Sequence, residues 1–234
     1  MMNILLLFVI IPLVMLLALW GSRSLNQVRA TMVAGSTALL VLSVYLTADF
    51  IALRNGGNSD TMLYCDSWSW YEPLNICLSI GVDGISVAML LLSSIIVFTG
   101  TFASWRLKPM TKEYFLWFTL LSTGVYGFFI CTDMFTMFMF YEVALIPMYL
   151  LIGVWGSGNK EYAAMKLTLM LMGGSALLIL GILGIYYYSG ATTMNVNEIA
   201  AMNNIPVETQ KIFFPFIFIG FGVLGALFPF HTWS

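Results

Sequence analysis

The sequence predicts an all-α integral membrane protein, and two observations carry this prediction. The first is composition: 60% of the 234 residues are hydrophobic, 9% are charged, and the mean hydropathy is +0.93. A soluble domain carries about 25% charged residues, so this chain lacks the polar side chains to cover a water-facing surface, and we expect a lipid bilayer around it. The second observation is a series of long apolar runs.

Seven apolar runs each approach the length of about 20 residues that a spanning helix needs. Because an unpaired backbone amide in hydrocarbon is strongly unfavourable, every run is expected to be helical. We assign residues 1–234 to one membrane domain, with Asp83 and Asp133 as caps at the starts of two helices. The predicted spans cover residues 4–20, 30–53, 83–104, 114–131, 134–155, 162–188 and 213–230.

The Lys and Arg residues predict the orientation of the chain, because cytoplasmic loops carry an excess of them. The linkers on one side hold only Arg54 and Lys211. That side is expected to face outward, and with it the N-terminus. A formal net charge of −2 gives no reason to expect a nucleic-acid partner. The linkers after the first, third and fifth runs hold Arg23, Arg29, Arg106, Lys108, Lys112 and Lys160.

Two linkers on the predicted outer side are long. Residues 54–82 include Trp68, Trp70 and Tyr71, which are typical of a segment at the level of the lipid headgroups. Residues 189–210 predict a short surface helix between polar flanks.

The stretch FYEVALIPMYLLIGVWG places a single acid, Glu142, near the centre of the fifth run. An ionisable group at that depth costs about 2.5–3.5 kcal/mol on insertion scales and is a functional site by default. Pro147 has no amide to bond the carbonyl of Val143, which leaves a place for water beside the acid and favours a protonatable relay. The alternative is a neutral glutamate kept for packing against a neighbouring helix.

Lys166 is the nearest candidate in the sequence for a cationic partner of Glu142. We take the cytoplasmic ends of the two helices to be at the same level. At about 1.5 Å per residue, Glu142 then lies roughly 20 Å from its helix end and Lys166 roughly 8 Å from its own. A direct salt bridge is therefore not expected, and a water-linked pair fits this offset better. Snorkelling of Lys166 to the cytoplasmic interface is the alternative.

The chain ends FGVLGALFPFHTWS, with Pro229 and the only histidine, His231, close together. Pro229 removes the helical donor of the Gly225 carbonyl and predicts a discontinuous seventh helix, which in transporters commonly marks the transport site. His231 can relay protons near neutral pH, or it can be an interfacial residue at a helix end. No capping residue or polar tail follows, so a longer subunit is expected.

Three cysteines, Cys65, Cys77 and Cys131, have no metal-ligand spacing. We therefore expect no metal site, iron–sulfur cluster, flavin or haem in this chain.

Three passages, SIGVDGIS, FYEVALIPMYLLIGVWG and FPFHTWS, resemble the antiporter-like subunits of respiratory complex I. The likeness is strongest to chain M of bacterial NADH–quinone oxidoreductase, the counterpart of mitochondrial subunit four. It extends over nearly the whole chain but over only about half of the family's subunit, which implies an N-terminal part.

The resemblance implies proton translocation coupled to quinone reduction, in a bacterial inner membrane. Glu142, Lys166 and His231 match protonatable positions of the family. The family usually has a lysine where this chain has Leu224, and leucine cannot carry a proton. Flavin, iron–sulfur clusters and quinone are implied in partner subunits, and other membrane subunits, including neighbouring antiporter-like ones, are implied as partners.

Two other functions remain open on the sequence. One is a subunit of a multi-subunit sodium/proton antiporter or of a membrane-bound hydrogenase, because these share the glutamate of the fifth helix. The other is a scaffold that transports nothing, which Leu224 favours.

Overall fold

The computed structural model describes residues 3–190, 192–202 and 204–233. Its backbone contacts divide the chain into two compact units. The first unit comprises Met1–Asp66 and Ile80–Cys131, and the second comprises Ser67–Ser79 and Thr132–Ser234.

The first unit is built from four helices. They are α1 (Leu7–Gly21, which follows a 3-10 turn at Ile4–Leu6), α2 (Leu25–Asn55), α3 (Gly84–Ala103) and α4 (Thr111–Ile130). Helix α1 packs on α2 and α4, and α3 packs on α2 and α4.

The second unit contains the other helices of the described residues. They are α5 (Met134–Trp155), α6 (Lys160–Tyr188), the short α7 (Val196–Met202) and α8 (Val207–Leu224), followed by a 3-10 turn at Phe230–Trp233. Helix α6 packs against both α5 and α8. Helix α7 is the short helix predicted within residues 189–210.

Each of the seven predicted runs contains a long helix, which confirms the predicted fold class, although the helix of the seventh run ends at Leu224. Among the described residues, six helices are long and apolar enough to cross a membrane. Helix α4 is 20 residues long but falls outside this set of six. Its hydroxyl-bearing side chains Thr119 and Thr123 are buried and donate to backbone carbonyls one turn earlier, at 2.7 and 2.9 Å. The lower apolarity of α4 therefore reflects polar groups that are satisfied inside the first unit.

A β-hairpin that the sequence analysis did not predict lies between α2 and α3. Strand β1 (Leu63–Tyr71) pairs with β2 (Ile76–Val82), and Asn75 in the connecting turn has a left-handed φ of 51°. In β1, the Tyr64 hydroxyl donates to Asp49 of α2. Burial, with the Asp49 carboxylate adding to it, raises the pKa of Tyr64 to about 12. The aromatic residues Trp68, Trp70 and Tyr71 of β1 are exposed.

Both predicted capping aspartates are confirmed. Asp83 accepts a hydrogen bond from the Ser86 amide at 2.7 Å, and Asp133 accepts one from the Thr136 amide at 2.9 Å. Asp133 is buried and also accepts from the Cys77 amide of β2 at 3.3 Å. One carboxylate therefore starts α5 and holds the adjoining part of the hairpin, within the second unit.

Asp133→Ala is expected to destabilise the protein by about 2 kcal/mol, whereas Asp83→Ala costs about 1 kcal/mol, which is typical of a lost helix cap. The two values differ because Asp133→Ala also leaves the Cys77 amide without its acceptor. Denaturant unfolding of the full-length subunit in detergent measures both values. Equal losses for the two variants would contradict the bond from Cys77.

Candidate functional site in the second unit

Glu142 is the ninth of the 22 residues of α5, so it lies near the middle of this helix. Its Oε1 is buried and has no hydrogen-bond partner; the one other such side-chain atom among the described residues is Arg29 Nε. A buried polar atom left unpaired costs about 1–3 kcal/mol, and more when it is charged. Such a cost is characteristic of a site that a proton or a water molecule completes.

Pro147 lies five residues after Glu142, is buried, and does not interrupt α5. Because proline has no amide hydrogen, the carbonyl of Val143 lacks its usual helical donor. Val143 directly follows Glu142 and is partly exposed. Two consecutive residues of α5 thus carry an unpaired carboxyl oxygen and a backbone carbonyl without its helical donor.

Tyr141, the residue before Glu142, connects α5 to α6. Its side chain is 7% exposed, and its hydroxyl donates to the carbonyl of Leu171 at 3.3 Å. This contact sets the depth of Glu142 relative to α6. The sequence analysis missed Tyr141, because an aromatic residue in an apolar run carries no sign of a hydrogen bond to another helix.

Lys166 does not pair with Glu142. Among the described residues, the one ion pair joins Lys211 and Glu208 at 2.8 Å. The Lys166 ammonium lies 6.0 Å from the centroid of the Tyr162 ring. Since Tyr141 contacts Leu171, which is five residues beyond Lys166, the lysine lies about 7.5 Å further towards the start of α6. The structure therefore agrees with the prediction that no direct salt bridge forms.

Helix α8 ends at Leu224, six residues before the predicted end of the seventh span. The helix does end in this region, but the prediction that Pro229 causes the interruption was wrong. Ala226 adopts a left-handed φ of 51°, and the Leu227 amide donates to the Gly222 carbonyl at 2.8 Å. These are the features of a Schellman motif, which closes a helix by its own backbone bonds. Pro229 lies beyond this motif and therefore does not itself end α8.

His231 is exposed on the 3-10 turn that follows α8, and its ring stacks on that of Phe228 with centroids 5.6 Å apart. The same turn is tied to α8 by Trp233, whose indole Nε1 donates to the Val223 carbonyl at 2.9 Å. The histidine thus follows the break, as expected, on a segment anchored to the last turn of α8.

The residues that precede Glu142 and Leu224 contact α6 within one helical turn of each other. The Cβ of Val223 would be 2.9 Å from a Cβ added at Gly174, so the last turn of α8 faces Gly174. Tyr141 contacts Leu171, three residues earlier in α6. Three residues correspond to about 4.5 Å. The structure therefore brings the acid of α5 and the end of α8 to one level, while Lys166 lies nearer the start of α6.

Metal-ligating side chains do not cluster around these residues in the described part of the chain. In the part of the chain that the structure describes, no three His, Cys, Asp or Glu side chains are close enough together to hold a metal ion. The carboxyl group of Glu142 is a group of this site that can bind a proton.

Comparison with known families and structures shows which proteins this chain is similar to. Residues 131–234 match the family described as "NADH:quinone oxidoreductase/Mrp antiporter, TM". The fold is similar to a chain of respiratory complex I from Thermus thermophilus, with a TM-score of 0.82 and 22% identity over 98% of this chain and 45% of that one. It is equally similar, with a TM-score of 0.82 and 20% identity, to a chain of an archaeal membrane-bound sulfane sulfur reductase; that match covers all of this chain and 47% of the other. The chain therefore shares the fold of these membrane-complex chains, and its residues 131–234 match a class of antiporter-like membrane subunits.

Within this class, the curated relatives are of the subunit M or chain 4 type. NADH-quinone oxidoreductase subunit M of Rickettsia typhi is 32% identical over 218 residues, which are 91% of this chain and 43% of the relative. NAD(P)H-quinone oxidoreductase chain 4-2 of Synechocystis sp. is 31% identical over 168 residues, or 72% of this chain and 30% of the relative. The resemblance predicted from the sequence is confirmed, and the chain spans less than half the length of these relatives.

Proposed function

We propose that this chain is part of a proton-translocating membrane subunit of a complex I-type NADH–quinone oxidoreductase, in which Glu142 binds and releases the transported proton. The observation that carries this proposal is the buried, unpaired Oε1 of Glu142 on a helix long and apolar enough to span a membrane. A packing glutamate would be expected to find a partner on a neighbouring helix, and this oxygen has none.

In the proposed mechanism, a water molecule at the unpaired carbonyl of Val143 exchanges a proton with Glu142. The carboxyl group is neutral after it takes up the proton and negative after it releases it. A change in the electrostatic surroundings, driven by quinone reduction elsewhere in the complex, shifts the balance between these two states. Lys166 and His231 serve as further relay groups, on α6 and after α8, and water bridges the distance to Lys166.

The remaining parts of the proposal concern the assembly. The redox chemistry takes place in partner subunits, which hold flavin, iron–sulfur clusters and the quinone site, and this chain has no redox centre. The chain lies in the bacterial inner membrane with its N-terminus outside, beside other membrane subunits that include neighbouring antiporter-like ones. The excess of Lys and Arg in alternate linkers supports this orientation.

A sodium/proton antiporter subunit is the second candidate, because the matching family includes Mrp antiporters. The discriminating experiment uses sealed inverted membrane vesicles from a strain that carries or lacks the full-length gene. NADH oxidation is expected to acidify the vesicle interior only when the gene is present, and equally well without sodium. Acidification that requires a sodium gradient would favour the antiporter. NADH-driven acidification that is unchanged without the gene would contradict the proposal.

A further inference from the structure

The first unit has a strongly asymmetric distribution of charge. At the end of the unit where α1 meets α2 and α3 meets α4, five cations accompany a single acid, Glu113, which gives a formal charge of +4. At the opposite end, Arg54 accompanies four acids, which gives a formal charge of −3. We term the first of these the basic end; its cations are Arg23, Arg29, Arg106, Lys108 and Lys112.

Two of these cations join the two loops of the basic end into one surface. Arg29 Nη2 donates to the Trp105 carbonyl at 2.9 Å, and the guanidinium lies over the Trp105 ring, 4.9 Å from its centroid. Lys112 Nζ donates to the carbonyls of Trp20 and Ser22, each at 2.8 Å. The α1–α2 loop and the α3–α4 loop are therefore held together by cations whose partners are neutral carbonyls, so their positive charge is not compensated.

The basic end also contains a hydrogen-bond donor without an acceptor. Arg29 Nε is buried and unpaired. The acid of this end does not neutralise the cations, since the one ion pair of the described residues lies elsewhere, between Lys211 and Glu208. A surface with uncompensated cations and an unmet guanidinium donor is complementary to a multidentate anion, and phosphate oxygens fit arginine in this way.

The surroundings of the basic end favour an anion that is attached to a lipid. Trp20 is 77% exposed and Leu17, one turn earlier on α1, is 69% exposed. Phe102 on the last turn of α3 is exposed and stacks on Trp105 with ring centroids 6.0 Å apart. Exposed aromatic and aliphatic side chains next to cations are typical of the boundary between headgroups and acyl chains.

We infer that the basic end of the first unit binds the phosphate group of an anionic phospholipid. The guanidinium of Arg29 and the side chains of Arg106 and Lys112 surround the phosphate, and the acyl chains lie along the exposed faces of α1 and α3. This inference does not depend on the proposed function, because no residue of the second unit takes part in it.

The test is the thermal unfolding midpoint of the purified full-length subunit in detergent. Phosphatidylglycerol is expected to raise the midpoint, whereas phosphatidylcholine, which carries no net charge, and inorganic phosphate are not. Arg106→Gln is expected to weaken the apparent affinity for phosphatidylglycerol about tenfold. Arg106 is exposed, so this variant is expected to fold normally. Arg29→Gln is expected to abolish the effect.

Lys211→Gln is the matched control, because Lys211 is an exposed cation of the second unit whose partner is Glu208. This variant is expected to keep the full response to phosphatidylglycerol. An equal midpoint shift with phosphatidylcholine, or an unchanged response in Arg106→Gln, would overturn the inference. An equal midpoint shift with inorganic phosphate alone would show that a soluble anion is sufficient, and this result would also overturn the inference.

Discussion

Glu142→Gln is expected to reduce proton translocation by the assembled complex about a hundredfold or more, the size of effect typical of losing a proton-transfer group. Glutamine keeps the size of the side chain but cannot bind and release a proton, so packing in α5 is preserved while the relay is lost. Internal acidification of sealed vesicles, driven by NADH oxidation, measures the effect. A native gel shows whether the variant complex has assembled.

Glu161→Gln is the matched control for this experiment. Glu161 is an exposed glutamate in the first turn of α6, and its replacement is expected to leave translocation unchanged. Full translocation by an assembled Glu142→Gln complex would make the acid structural. The scaffold hypothesis, which Leu224 favours, would then replace the proposed function.

Gly174→Val is expected to disturb the packing of α6 against α8 in the second unit. Its Cβ would lie 2.9 Å from the Cβ of Val223, so α6 and α8 would have to separate. Overpacking of this kind costs about 1–3 kcal/mol, which corresponds to a fall of several degrees in the unfolding midpoint. Because Val223 belongs to the last turn of α8, level with Glu142, translocation is also expected to fall.

The matched control is the same substitution at the preceding residue, Gly173. A Cβ at Gly173 would meet nothing within 4 Å, and Gly173→Val makes the same change in helix propensity. Thermal unfolding of both variants in the same detergent isolates the packing effect. Equal midpoints would show that the close approach of α6 and α8 does not limit stability.

The sequence was informative wherever one physical requirement dominated. Backbone groups in a bilayer must be bonded within the segment, so the apolar runs predicted the helices. Asp83 and Asp133 were predicted as caps because a carboxylate is favourable at the start of a helix. The depth of Glu142 in α5 also followed, because it depends only on position along one helix.

The sequence was less informative where pairing between distant segments decides the structure. The hairpin of β1 and β2 was missed because its strands are stabilised by each other and not by a spanning requirement. The end of α8 was assigned to Pro229, the visible helix breaker, whereas the backbone closes the helix earlier, at the left-handed Ala226.

The sequence by itself determined that the chain is a multi-pass helical membrane protein with one acid deep in its fifth apolar run, because both follow from where apolar and charged residues fall along the chain. Only the tertiary structure decided which groups surround that acid. It leaves Glu142 Oε1 without a partner, sets the depth of Glu142 through Tyr141, and brings the end of α8 to the same level. It also distinguishes Gly173 from Gly174, which are identical neighbours in the sequence. Contacts between helices depend on the direction in which each side chain points, and that direction is fixed when the helices pack.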